Sequence, residues 1–481
     1  MGLLDNIEPK KVMYFFEEIT KIPHGSKNEG LLAKYLINFS KSHNLKYISD
    51  TNNNVIIIKE ATKNYENSEP IILQAHIDMV CEKTKESCHD FTKDPLKLCL
   101  NDNILKAKDT TLGADNGIAV AMFLSILDSD DIPHPKLECV FTSAEEIGMI
   151  GAKSIDVSML TGKKLLNLDS GGEGVFTVGC SGGLKAISCI PLHYKTTSGQ
   201  IININVSGLQ GGHSGMMINK ERLNASILMG RILFELRKFN YKLIDINGGT
   251  VDNAITKECN SKIICNVNDI EKIINAVNKI NNTIAYECRI TDPNVKITTN
   301  LLETGNVKAL DEDSTVAVYS ILMNYPQGVY SMSMEIKDLV ESSLNMGVIK
   351  IEDDNLIIKT GIRSSSETKL YHLADKIDSL VSIFGGKTQI SDFYPGWEYN
   401  PKSKLRENVL EAYKKLYNKE PIVLAIHAGL ECGLFSKKIS GLDCVSMGPN
   451  MNYVHTPDEQ LDLKSVERTW ILLKEILKLS K

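Results

Sequence analysis

Apolar positions in the first third of the chain alternate between two spacings. Val12, Phe15, Phe16 and Ile19 recur at helical spacing and predict a helix from Pro9 to Thr20. Ser26 and Glu29 have capping-box spacing, which predicts a second helix carrying Leu32, Leu36 and Phe39. Continuous apolar runs then read as strands: NVIIIKE from Asn54, PIILQAHI from Pro70, LECVFT from Leu137 and KLLNLD from Lys164. Between the second and third of these, Asn116 to Leu127 reads as a helix. Strands alternating with helices imply a layered α/β sheet, and runs such as Ile71-Ile72-Leu73 fit burial on both faces.

From about Leu184 the pattern changes to longer amphipathic strands such as QIININVSG, with helices at Asn219–Phe239 and Ile270–Asn281. A second set follows: a helix near Ser314–Met323, strands at Ser331–Ile336, Gly347–Glu352 and Asn355–Gly361, and a helix at Glu367–Ile383. Two successive α+β units of similar size account for this texture. After Gly385-Gly386 and Pro395-Gly396 the α/β pattern returns, with a helix at Leu405–Tyr417, strands PIVLAIH and DCVSMG, and a closing helix from Lys464. The expected organisation is one α/β domain, 1–186 and 391–481, interrupted by an inserted domain, 187–390.

A length of 481 residues exceeds what a single core usually spans, which agrees with more than one domain. Net charge is −6, with 54 basic and 60 acidic residues, and the basic residues are scattered, which argues against a nucleic-acid partner. The longest apolar run, Gly117 to Leu127, is far short of a membrane span. The start, MGLLDNIEPKK, has no signal-peptide apolar stretch, and Asn6 stands where a myristoylation site wants Ser or Thr. Eleven widely spaced cysteines, an odd number without CxxC spacing, point to a reducing compartment. The expected location is cytoplasmic.

Five segments place polar residues where apolar runs end, the edge at which open α/β sheets build sites. In AHID, His76 and Asp78 lie two apart on a strand and face the same way, as a metal-binding imidazole and its orienting carboxylate would. In LGADNGIAVAM, Asp115 stands ahead of an apolar helix, where a carboxylate could cap the helix or bridge two metal ions. In FTSAEEIGMIGA, Glu145 and Glu146 are adjacent and repel unless something positive sits between them or one is protonated; two metal ions would resolve the conflict. Asp169 follows a strand in LLNLDSGGEG, and His455 lies in the loop GPNMNYVHTPDE. Taken singly, each has an ordinary structural explanation. Together, two histidines with Asp115, Glu146 and Asp169 make an N/O donor set for two metal ions sharing Asp115. Glu145 remains over as a general base.

In this order, these motifs resemble the co-catalytic zinc aminoacylase/carboxypeptidase superfamily. The strings AHIDMVCEK, TLGADNGIA, GCSGG, GLQGGHSG, HAGLECGLF and SMGPNMNYVHTPDE are similar to its Xaa-His (aminoacyl-histidine) dipeptidase branch over nearly the whole chain. The resemblance implies a three-layer α/β/α mixed-sheet catalytic domain and an inserted α+β lid of two ferredoxin-like units. It implies two Zn2+, with Mn2+ or Co2+ as alternatives: His76 and Asp169 on one ion, Glu146 and His455 on the other, and Asp115 on both. Glu145 would be the base toward a metal-bridging water, and Asp78 would orient His76. His213 in GGHSG would stabilise the oxyanion, and Arg363 in GIRSSS, with Asn253 in VDNAI, would hold the substrate carboxylate. His427, Gly429 and Glu431 in HAGLECG would line the substrate pocket, with Glu431 facing the substrate's amino group.

The expected activity is hydrolysis of Xaa-His-type dipeptides by a metallo-dipeptidase under a closing lid. The partner is then a small dipeptide, with no nucleic acid and no membrane. A homodimer through the lid is left open, since two α+β units could satisfy that surface within one chain. An aminoacylase or tripeptidase of the same superfamily, or a non-catalytic binding protein on the fold, are the alternatives. GCSGG at 179–183 fits GxSxG, but the alternating LKAISCIPL after it predicts a strand where a nucleophile elbow needs a helix.

Overall fold

In the computed structural model, which describes residues 2–481, the apolar runs ahead of the candidate residues form the centre of an eight-stranded sheet. Its order is Lys46–Ser49, Val55–Lys59, Leu137–Thr142, Ile71–His76, Lys164–Asn167, Asp443–Ser446, Val175–Cys180 and Ile422–Ile426. The four strands from Leu137–Thr142 to Asp443–Ser446 are parallel, so their carboxyl ends share one edge. Ile71–His76 and Leu137–Thr142 are buried at every position, as both-faced strands with near-continuous Ile, Leu, Val and Phe must be.

Helix Ala114–Leu127 has no polar face, and every residue in it except Asp115 is buried. Phe16 and Ile19 of helix Lys10–Thr20 pack against it at Gly117. This unit comprises Met1–Gly179, Tyr399–Ala425 and Leu430–Lys481. Among the described residues, no helix is long and apolar enough to cross a membrane. All eleven cysteines are free thiols.

The second unit, Cys180–Glu398 with Ile426–Gly429, is built on one nine-stranded sheet. Along its main path the order is Lys296–Leu310, Tyr194–Ser207, Cys259–Cys265, Lys242–Gly248, Val340–Glu352, Asn355–Ser364, Gly182–Pro191 and Lys387–Tyr394, every neighbouring pair antiparallel. Strands Tyr194–Ser207, Lys242–Gly248, Cys259–Cys265 and Lys296–Leu310, with helices Ala225–Leu236 and Ile270–Glu287, run strand–helix–strand–strand–helix–strand in ferredoxin-like order. Gly182–Pro191, helix Glu312–Asn324, Val340–Glu352, Asn355–Ser364, helix Glu367–Ser382 and Lys387–Tyr394 repeat that order. The first set is therefore inserted after the opening strand of the second. The two are nested where the sequence pattern reads as successive, because strand pairing is non-local and leaves no mark in local periodicity.

The segment after Cys180 is strand Gly182–Pro191, which removes the geometry a serine nucleophile elbow would need. The Ser26/Glu29 capping box does not form. The helix spans Gly30–Ser42 with Glu29 at its N-cap in helical conformation and no side-chain cap bond. Both side chains are drawn elsewhere, to partners described below.

Candidate active site

His76 ends strand Ile71–His76, Glu145 and Glu146 follow Leu137–Thr142, Asp169 follows Lys164–Asn167, and His455 lies beyond Asp443–Ser446. Parallel pairing brings these strand ends together, and helix Ala114–Leu127 adds Asp115 in its first turn. Gly113 precedes it with φ +68°, a left-handed turn in which a Cβ would come within 2.8 Å of Met79 Sδ.

The two oxygens of Asp115 face different histidines. Oδ1 lies 3.1 Å from His76 Nε2, and Oδ2 lies 3.3 Å from His455 Nε2. His76 Nε2 is also 3.5 Å from Asp169 Oδ1, and His455 Nε2 is 3.0 Å from Glu146 Oε1. His76, Asp115 and Glu146 alone place donor atoms within 4.8 Å of one another, a spacing that could hold a metal ion. Glu146 Oε1 is buried and forms no hydrogen bond among the described residues despite its closeness to His455, so the two converge on shared space and not on each other.

The charges report the same arrangement. The Asp115 and Glu146 carboxylates beside it push the His455 imidazole up to about 10. His76 is raised well above the usual imidazole range: burial opposes this, and Asp169, Asp115 and Asp78 outweigh it. Burial, with Asp115 alongside, pushes Asp169 up to about 7 against the opposing pull of His76. Against burial, His455 and His76 hold Asp115 well below the carboxylate range. Three carboxylates and two imidazoles so close compete for the same protons, a conflict that cations in their place would relieve, and their N and O donors suit divalent cations. The residues therefore fit a metal centre.

Around these donors the chain is tightly tied. Asp78 Oδ1 accepts the Glu145 N–H at 2.9 Å, and Oδ2 accepts the Glu146 N–H at 3.2 Å and the Ser26 hydroxyl at 2.8 Å. His76 Nδ1 lies 3.0 Å from the Asp78 carbonyl and 3.5 Å from Asp78 Oδ1. Despite burial, His76, the Glu145 N–H and the Ser26 hydroxyl hold the Asp78 carboxyl below its usual range. Ala144 takes φ +48°, a conformation costly for a residue with a Cβ, and its N–H is held by the buried Glu29 carboxylate at 3.1 Å. The Glu145 carboxylate makes no side-chain hydrogen bond among the described residues. Burial raises it well above the usual range, His76 opposes, and Asp169, Glu431 and Glu146 add to the rise. Positive charge at the donor cluster would lower it again.

Glu431 is fully buried at the start of helix Glu431–Lys438. Its Oε2 accepts from Gln74 Nε2 at 2.5 Å and Thr142 Oγ1 at 2.7 Å, while Oε1 has no hydrogen-bond partner among the described residues. Burial pushes this carboxyl up to about 7.

The second unit carries the remaining candidates. Strand Gly212–His213 pairs with Ala254–Ile255, and the Ser214 N–H donates to the Asn253 carbonyl at 2.8 Å, so His213 and Asn253 are neighbours. His213 Nδ1 accepts N–H groups of Gly215 and Met216 at 3.2 Å each, which leaves the ring proton on Nε2. Burial and the Arg363 charge lower the His213 pKa, so the ring is neutral. Arg363 Nη1 donates to Tyr394 Oη at 2.8 Å. His427 Nε2 is 2.7 Å from Ser343 Oγ, and burial with Arg363 nearby pushes this imidazole down to about 3. Gly429 closes the Ile426–Gly429 segment.

The sequence pattern of peptidase family M20/M25/M40 matches residues 72–479, a span that covers every residue of the donor cluster. The chain belongs to this family. It is 36% identical over 481 residues to the cytosol non-specific dipeptidase of Escherichia coli strain K12, covering 99% of each. The crystal structure of aminoacylhistidine dipeptidase from Vibrio alginolyticus matches with TM-score 0.93 and 32% identity, over 99% of this chain and 98% of that one. Aminopeptidase PepT from Bacillus cereus shares the fold at TM-score 0.58 and 15% identity, over 98% and 99% of the two chains.

Sequence reading of this M20 peptidase, a hydrolase of peptide bonds, leaves several supporting residues unmarked. Ser26 and Glu29 carry a helix-start signature, which hides their bonds to Asp78 and Ala144. Asn116 Nδ2 ties the Asp115 turn to the Leu168 carbonyl at 2.7 Å, beside Asp169. Gln74 sits in an apolar strand where only an internal partner, here Glu431 and Asn167, would explain it. That buried polar residue in an otherwise apolar run is the one signal that was available.

Proposed function

We propose that this chain is a dinuclear metal-dependent dipeptidase acting on Xaa-His-type dipeptides. The observation that carries it is Asp115, whose two oxygens each face a different histidine, as a carboxylate shared by two ions must. His76 and Asp169 would complete one ion's protein ligands, and Glu146 and His455 the other's, with zinc the metal that suits this N/O set best. Such ions, when bound, polarise a carbonyl and make water nucleophilic near neutral pH.

The chain's own groups divide the remaining work. Glu145, with its carboxylate free of side-chain hydrogen bonds, takes the proton of the attacking water and returns it to the leaving amine. Asp78 holds His76 and both glutamate N–H groups, fixing base and ligands together. His213 carries its proton on Nε2 and stays neutral, which suits it to donate to the developing oxyanion. Arg363, steadied by Tyr394, would take the substrate carboxylate in a two-pronged bond, with Asn253 assisting. His427 and Gly429 would shape the pocket, His427 as an uncharged wall. The ammonium-binding role of Glu431 rests on Oε1, since Oε2 is committed to Gln74 and Thr142. Eleven free thiols and the cytosolic relative support a cytoplasmic location.

The substrate class is supported by the aminoacylhistidine dipeptidase likeness at 32% identity and TM-score 0.93. A panel of β-Ala-His, other dipeptides, tripeptides and N-acyl amino acids, run on metal-reconstituted enzyme, tests it. Turnover confined to dipeptides with Xaa-His preferred is the expected result. Preferred cleavage of tripeptides or N-acyl amino acids would replace this reading with its relatives' chemistry.

A further inference from the structure

We propose that Glu459 is a positioning residue that sets the spacing between Asp115 and His455 and so tunes one of the two cation sites. This rests on the dinuclear reading above. Glu459 follows His455 by four residues in the loop between strands Met451–Asn452 and Gln460–Asp462. Pairing of Leu461 with Leu105 carries that loop to the segment leading into helix Ala114–Leu127.

There the buried Glu459 carboxylate accepts four successive backbone N–H groups. Oε2 takes Leu112 at 2.7 Å and Gly113 at 3.0 Å; Oε1 takes Ala114 at 2.9 Å and Asp115 at 3.4 Å. Glu459 is 2% exposed, and among the described residues no Lys or Arg pairs with it. A buried carboxylate with no cationic partner needs this many donors to be tolerated. One side chain therefore grips the backbone of Asp115 while belonging to the loop of His455. Asp115 Oδ2 and His455 Nε2 are 3.3 Å apart, so both ends of that contact are set by Glu459. Neutralising a helix N-terminus would also call for a carboxylate here, but that role predicts a loss of stability and nothing at the metal.

Glu459→Gln keeps the shape and turns one oxygen into a donor facing donors. The full-length variant is titrated with zinc against a chromogenic chelator, alongside wild type, with far-UV circular dichroism as the check on folding. Wild type should bind two ions. The variant should hold the ion at Glu146 and His455 about 10–100-fold more weakly, the range seen when groups supporting a ligand are removed, and the ion at His76 and Asp169 less so, since Asp115 reaches both. In a His455→Ala background, which already lacks that site, adding Glu459→Gln should lower the remaining affinity by less than it lowers the His455 site when His455 is present. If the amide variant does not fold, Glu459→Asp, which keeps the charge and withdraws it by one methylene, carries the same test. Two unchanged zinc affinities with only a lower Tm would overturn the proposal. A wild-type protein that binds no pair of ions would instead overturn the dinuclear reading beneath it.

Discussion

Replacing Asp78 with Asn removes one of the two acceptor oxygens that tie the backbone of Glu145 and Glu146 in place. Asp78 is 1% exposed, and its two oxygens accept the Glu145 N–H, the Glu146 N–H and the Ser26 hydroxyl at 2.9, 3.2 and 2.8 Å. An amide has a single oxygen, so in either orientation an NH2 group faces at least one of the two N–H groups. A hydrogen bond to a charged group contributes about 1.5–3 kcal/mol, and a buried donor left unmatched costs about 1–3 kcal/mol. Allowing for overlap between these, about 2–4 kcal/mol is at stake. Expressed wholly in the transition state, at about 1.4 kcal/mol per factor of ten, kcat/KM should fall roughly 30- to 1,000-fold. Metal affinity should change less than kcat/KM, because His76 Nδ1 keeps its nearer partner, the Asp78 backbone carbonyl at 3.0 Å, and loses only the carboxylate oxygen at 3.5 Å. The assay is kcat and KM at saturating metal, with metal content and far-UV circular dichroism on the same samples. A folded Asp78→Asn enzyme whose kcat/KM stays within twofold of wild type would refute the coupling. A drop in Tm alone would assign Asp78 to stability only.

Other substitutions separate the remaining roles. Glu145→Ala should keep its metal and lose turnover, whereas His455→Ala should lose metal; equal metal loss in both would dissolve that division. Arg363→Lys should raise KM for dipeptides about tenfold or more with kcat little changed, because an ammonium cannot reproduce a two-pronged bond. Tyr394→Phe, removing one hydrogen bond from Arg363, should raise KM only about two- to tenfold; the opposite order of effects would count against Arg363 as the carboxylate anchor. Glu138 supplies a pH test away from the site. Burial is outweighed by the Thr161 hydroxyl, the Gly162 N–H and Lys136, so its folded pKa lies below the ordinary 4.5. Its stabilisation is then complete above pH 4.5 and is lost as pH falls through the folded value. Glu138→Gln should cost about 1–3 kcal/mol at pH 7 and flatten the loss of stability in acid; equal acid slopes in urea unfolding would contradict this.

Most of the donor set was legible because His76, Glu146 and Asp169 end or follow apolar strands, and continuous burial writes itself into sequence as runs such as IILQAH and LECVFT. Residues that act through distant partners were not. Glu459 bonds to amides 344–347 positions away, and nothing local distinguishes it from any loop glutamate. Ser26 and Glu29 carry a genuine helix-start pattern, but Asp78 and the Ala144 N–H capture them, and buried tertiary partners outweigh a local cap. The helix expected from Asn219 begins at Ala225, because the Asn224 side chain accepts from Ser226 and Ile227 and fixes the start there. Strand Val340–Glu352 starts earlier than its apolar stretch, since Ser342, Ser343 and Asn345 are buried polar residues whose bonds to Ser331, His427 and Asp252 make a loop-like sequence sheet-compatible. The helix from Ile270 runs on to Glu287 past the last strongly apolar stretch, stabilised on one face by Ile273, Val277 and Ile284.

Anomalous diffraction from zinc-soaked crystals of the full chain tests the central claim most directly. Two peaks should be found, one among His76, Asp115 and Asp169 and one among Asp115, Glu146 and His455, with the Glu145 carboxylate beside them and bound to neither. A single peak, peaks away from Asp115, or Glu145 ligating in place of Glu146 would contradict the account.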